Sequence, residues 1–243
     1  MTQTTSGTPA TPRRRGAGGR ARGADAARPT AGREDGAGGA AAWVPPDGSV
    51  DALRAAAPGC RGCELWADAT QVVFSSGSPT APLMLVGEQP GDREDREGEP
   101  FVGPAGKVLD SALEAAGIAP DDIYLTNAVK HFRHVDQGKR RLHKTPTVAH
   151  IRACLPWLAA EATVVRPDVV VCLGATAARA VLGRDVPVTA ARGHPVEDSP
   201  LDGVGTVVVT THPSALLRLR GKGGWDEAFD AFVADLRLAA SLR

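Results

Sequence analysis

The densest chemistry in this chain lies in GKRRLHKTP, Gly138–Pro146, where Lys139, Arg140, Arg141 and Lys144 surround a single histidine, His143. From Lys130 to Pro146 there are six Lys or Arg, three of the six histidines and one acid, Asp136. Such a run would grip phosphates, with strong salt dependence. Its cations also oppose any further positive charge, so His143 is expected below its ordinary pKa and neutral. A neutral imidazole has a lone pair for nucleophilic attack; an imidazolium does not. A solvated basic loop would look the same, although loops this long inside a compact domain usually have a function.

Three further runs could do chemistry. GEQPGDRED places Glu88, Gln89, Gly91 and Asp92 in a Gly/Pro-rich loop, which also suits a solvated acidic turn. Asn127 closes an apolar run and carries a donor and an acceptor side by side on one amide. His212 stands between a Val-rich run and Pro213, as a turn histidine would. Phe101 is one of five Phe, in a Gly/Pro loop, and would ordinarily anchor a core. GPAGK, Gly103–Lys107, misses the spacing of a triphosphate loop, so nucleoside triphosphate binding is set aside. Four cysteines remain: Cys60 and Cys63 as a CxxC, and Cys154 and Cys172, 18 apart. Spacing alone leaves an iron–sulfur cluster, a zinc site and ordinary buried thiols open.

These residues need elements to hold them. Ser49–Ala57 reads as a short helix with a Ser cap, Gly106–Gly117 as an amphipathic helix stopped by Gly, and 147–165 as a longer helix. Val- and Leu-rich strands are expected at Pro82–Gly87, Ile123–Val129, Asp168–Gly174 and Gly205–Pro213, with a long basic loop after the second. A helix follows the third strand, and another, Trp225–Leu242, closes the chain with Phe229, Phe232, Val233 and Leu236 on one face. Apolar strands alternating with helices imply a three-layer α/β/α sandwich around a central parallel sheet. Ligands then bind beyond the carboxyl ends of the strands. That rule selects GEQPGDRED, NAVKH, GAT and THPS.

The formal net charge is zero, so a nucleic-acid partner would be met by a local patch rather than a global field. No leader or membrane span is expected, and the cytoplasm is the default. Residues 1–42 hold seven Arg against three acids and no large apolar side chain, and read as a disordered tail, passive or a weak electrostatic arm for DNA. A single domain is expected over 43–243.

Leu85–Asp110, LVGEQPGDREDREGEPFVGPAGKVLD, resembles the first active-site motif of the iron–sulfur uracil-DNA glycosylases, families 4 and 5, and Thr211–Arg218, THPSALLR, resembles their second. Asn127–Pro146 is similar to the X-type members, whose added basic loop carries a histidine that bonds covalently to DNA. The resemblance spans about residues 55–243 and implies a [4Fe-4S] cluster on Cys60, Cys63, Cys154 and Cys172. It implies a base-excision repair chemistry in which uracil stacks on Phe101, pairs with Asn127, and receives a hydrogen bond from His212. The Gln89–Gly91 backbone and Asp92 shape the uracil site, and Glu88 stands near the sugar. Lys130, Lys139, Arg140, Arg141, Lys144 and Ser214 contact DNA, and His143 traps the sugar C1′. The implied partner is uracil-containing DNA, single-stranded for preference, bound by a monomer away from membranes. An ordinary turnover glycosylase and a non-catalytic iron–sulfur DNA-binding module are the rivals.

Overall fold

The computed structural model describes Met1, Thr2, residues 39–46 and residues 48–243. Most of the expected tail therefore lies outside the described residues. Its last four residues do not: Gly39–Trp43 form a 3-10 turn with Ala40 only 1% exposed. Here the small side chains that suggested disorder serve close packing, since a Cβ on Gly39 would stand 3.0 Å from the Ala153 carbonyl oxygen.

The strands are β1 (Ser75–Gly77), β2 (Leu83–Gly87), β3 (Ile123–Asn127), β4 (His134–Gln137), β5 (Arg140–His143), β6 (Val169–Leu173), β7 (Pro195–Val196) and β8 (Thr206–Thr210). The helices are α1 (Val50–Ala56), α2 (Asp92–Glu97), α3 (Pro104–Ala116), α4 (Val148–Val165), α5 (Ala175–Leu182), α6 (Val188–Ala191), α7 (Pro213–Leu217) and α8 (Trp225–Ser241). Ser49 and Thr147 cap α1 and α4 by accepting from the backbone N–H three residues on.

The main sheet runs β1-β3-β2-β6-β8-β7. Its inner four strands are parallel, as expected, but both edges are antiparallel, so the sheet is mixed. The edges escaped notice because β1 is a short polar Ser-Ser-Gly and β7 is a Pro-Val pair, and Pro is tolerated only at an edge. Inner strands are buried on both faces, and alternation divides them. Met84, Val86, Val170 and Val209 join Trp157 and Leu158 of α4 on one side; Leu83, Leu85, Val171 and Val208 join Leu109 of α3 and Leu236 of α8 on the other.

By length and composition alone α4 is apolar enough to cross a membrane. It is instead a core helix, with Trp157 and Glu161 fully buried. The expected basic loop is an antiparallel hairpin of β4 and β5, closed by Gly138 at φ +61°.

Candidate active site

Register puts the site together. Gly87 and Asn127 are paired across β2 and β3, so their chains leave the sheet side by side. A Cβ on Gly87 would meet Asn127 Oδ1 at 2.3 Å and Phe101 Cζ at 2.7 Å, so the absent side chain is where amide and ring converge. Asn127 is 2% exposed. Its carboxamide oxygen stands against Gly87 at the end of β2. Phe101 sits at φ +58°, a left-handed conformation that costs a bulky residue energy. The surrounding loop enforces it: the Glu94 carboxylate accepts from Gly91 N–H at 3.1 Å and Gly103 N–H at 2.8 Å, bracing both ends. Glu94 was not singled out in the sequence, where it looks like one more acid in a solvated run.

His212 faces Phe101, ring centroids 6.5 Å apart and ring planes 28° from parallel. Its Nδ1 accepts from Ser214 N–H at 3.1 Å, which leaves the ring proton on Nε2 as a donor. The Ser214 hydroxyl also turns to this nitrogen, at 2.8 Å. Burial, then His143 and Arg218, holds His212 down at about 4, so the ring is neutral near pH 7. Glu88 follows β2; one carboxylate oxygen lies 3.4 Å from His143 Nε2 and the other accepts from Thr176.

The hairpin brings His143 to Glu88. Cross-strand pairing sets His134 opposite His143 and Asp136 opposite Arg141, so Arg141 and His143 share the inward face while Arg140 and Leu142 point out. Arg141 binds Asp92 at 2.6 Å and the buried Asp95 at 2.6 Å, and lies over Phe132. This corrects one expectation: Arg141 is a structural fastener rather than a free phosphate contact. Asp92 holds Arg141 and Arg96. Gln89 likewise spends its amide on the hairpin, exchanging bonds with Arg133 and donating to Lys144 O at 3.1 Å. Lys139, Arg140 and Lys144 are exposed. His143 is half exposed and lowered in pKa as expected, but the cause differs: burial leads, Glu88 opposes it, and the cation that contributes is Arg218.

Lys130 is also corrected. It is fully buried, ion-paired to Glu161, and donates to Thr126 Oγ1 and, at 3.0 Å, to Asn127 O. Its ammonium is spent in the interior, where it holds the main chain of Asn127.

Cys60, Cys63 and Cys154 line one small cavity, and His131 completes its wall. Trp157 Nε1–H and Lys130 N–H donate to Cys60 and Cys154 sulfurs, both at 3.3 Å. Burial raises Cys63 and pushes Cys154 up to about 12. Cys172 is elsewhere, inside β6 between Val86 and Val209, fully buried with its pKa raised by burial alone. The expected four-cysteine set is therefore not assembled. Among the described residues no three ligand side chains already converge on a metal position. Three thiols and an imidazole around one cavity nonetheless fit a cluster by donor chemistry, since histidine replaces cysteine on iron in some iron–sulfur centres. His131 was missed because it sits in a basic run, far in sequence from the cysteines.

The family described as the uracil DNA glycosylase superfamily matches residues 74–237. A type-4 uracil-DNA glycosylase of Thermotoga maritima is 38% identical over 162 residues, 66% of this chain and 79% of that protein. One of Archaeoglobus fulgidus is 31% identical over 173 residues, 70% of this chain and 83% of that protein. One of Sulfurisphaera tokodaii is 35% identical over 127 residues, 52% and 54% of the two chains.

Proposed function

The chain belongs to the uracil DNA glycosylase superfamily, and from that premise we propose that it excises uracil from DNA by breaking the base–sugar bond. The observation that carries this reading is the convergence of Asn127, Phe101 and His212 around Gly87. A flipped uracil stacks on Phe101 and presents O4 to the N–H donor, and N3–H to the carbonyl acceptor, of the Asn127 amide. Cytosine has an amino group and a bare ring nitrogen at those places. His212 Nε2–H faces O2, where negative charge grows as the base leaves, and such a donor is worth about 3–4 kcal/mol. Glu88 stabilises the electron-poor sugar and orients whatever attacks it. Lys139, Arg140 and Lys144 hold phosphates.

With water as the attacking group, the enzyme turns over, which is the reading that likeness to the type-4 enzymes favours. A second reading rests on one specific observation: His143 Nε2 is 3.4 Å from Glu88, and burial favours its neutral form. In this reading the glycosidic electron pair departs with uracil, the imidazole lone pair bonds C1′, and the positive charge passes to the ring. The product is a protein–DNA adduct of the X type.

An iron–sulfur cluster would be held by Cys60, Cys63 and Cys154, with His131 as fourth donor. It would supply a cross-link between the CxxC segment, α4 and the turn after Asn127, and no step of bond cleavage needs it.

The test incubates the purified chain with uracil-containing single-stranded DNA. Free uracil is expected. Several equivalents per chain with abasic DNA give the hydrolytic reading. One equivalent with an SDS-resistant band, lost in His143→Ala, gives capture. Neither uracil nor a band overturns the assignment.

A further inference from the structure

The GAT run after β6 has no part in the chemistry above, yet Thr176 touches its centre. Val86 of β2 pairs with Cys172 of β6, so two residues further on Glu88 and Gly174 leave the sheet level with each other. Gly174 turns at φ +92°, and its N–H donates to Thr210 O at 2.9 Å. A Cβ there would press on His212 Cβ at 3.2 Å, so the turn is drawn tightly against the second motif. The first turn of α5 then sets the Thr176 hydroxyl 2.5 Å from Glu88 Oε2. Glu88 Oε1 is the oxygen facing His143. An ionised carboxylate only accepts, so the hydroxyl must donate, and charge-assisted O–H···O⁻ bonds have this length. A β-branched side chain is stiff about χ1, which fixes where that donor points.

We propose that Thr176 is the positioning residue of the catalytic carboxylate: it holds one oxygen of Glu88 so that the other faces the sugar side of the base pocket. The inference rests on the glycosylase reading and holds whether water or His143 attacks. Thr176 touches no substrate, and its effect on the reaction passes entirely through Glu88.

The test is single-turnover uracil release from a uracil-containing single-stranded oligonucleotide by the full chain. Thr176→Val keeps the shape and removes the donor. It is expected to lower the rate at saturating protein by about 10- to 100-fold, the worth of a hydrogen bond to a charged group, with DNA affinity unchanged. Thr176→Ser restores the donor and is expected to recover most of the rate. In a Glu88→Ala background, Thr176→Val is expected to add nothing, because residues acting as one unit are not additive. Should the valine variant fail to fold, Thr176→Ala reads the same loss. A parental rate in Thr176→Val, a loss appearing only in affinity, or additivity with Glu88→Ala overturns the assignment alone. A parent chain that releases no uracil overturns the glycosylase reading and this one with it.

Discussion

The pocket proposed for the base and the basic hairpin meet at Glu88 and His143 but are held by opposite means. Pocket residues leave the ends of strands whose register is fixed by a sheet buried on both faces, and the turn beyond is tied by main-chain bonds, Ala128 N–H to Gly87 O at 2.9 Å and Val129 N–H to Glu88 O at 3.1 Å. The hairpin is a separate two-stranded sheet, marginal by itself in water. Side chains fasten it to the body: Gln89 grips its two ends, and Arg141 reaches Asp92, Asp95 and Thr70. Cationic residues consequently do different work in the two places. Behind the pocket a lysine is sunk and paired; in the hairpin alternation divides adjacent arginines between an anchored side chain and an exposed one. The fixed half suits recognition of a base, and the fastened half suits presentation of a group whose placement can be lost without unfolding the rest.

The sharpest test of that contrast compares two lysines. Lys130→Met leaves Glu161 charged in the core and is expected to destabilise the fold by about 3–5 kcal/mol, seen as a lower denaturation midpoint. Lys139→Met at the hairpin tip is expected to stay within about 0.5 kcal/mol of the parent. Equal stabilities would break the comparison. A smaller effect separates the neighbouring arginines. Arg141→Gln strips buried Asp95 of its cation and is expected to cost about 1–3 kcal/mol, together with slower uracil release as the hairpin loosens. Arg140→Gln is expected to keep stability and rate but flatten the salt dependence of DNA binding by about 0.7–0.9 in log–log slope, one phosphate contact. Reversed phenotypes would mean that the inward and outward faces have been exchanged.

A further test concerns acid. His212 is held at about 4 in the folded chain against an ordinary 6.5, chiefly by burial. The unfolded chain therefore takes up this proton first as pH falls. Stability rises with pH between those two values and is lost as pH drops through them. Melting temperature followed from neutral pH down to about 4 is expected to fall less steeply in His212→Gln than in the parent. Equal slopes would show that His212 is not the neutral, largely desolvated imidazole described.

Local pattern determined much of this. Val- and Leu-rich runs marked β2, β3, β6 and β8, the cap residue Ser49 marked α1, and the strand-end rule led to the runs that hold Glu88, Asn127 and His212 without any tertiary information. Those signals lie within a few residues of the elements they specify. Only the tertiary structure decided that the basic run is a hairpin, that Arg141 turns in while Arg140 turns out, that Lys130 is buried, and that His131 rather than Cys172 borders the cysteine cavity. In each case the deciding partner is far along the chain: Asp92 lies 49 residues before Arg141, and Glu161 lies 31 after Lys130. A cation that pairs with a buried carboxylate and one that awaits a phosphate are written with the same letter. Burial and the company of distant acids tell them apart, and both exist only once the sheet has closed over them.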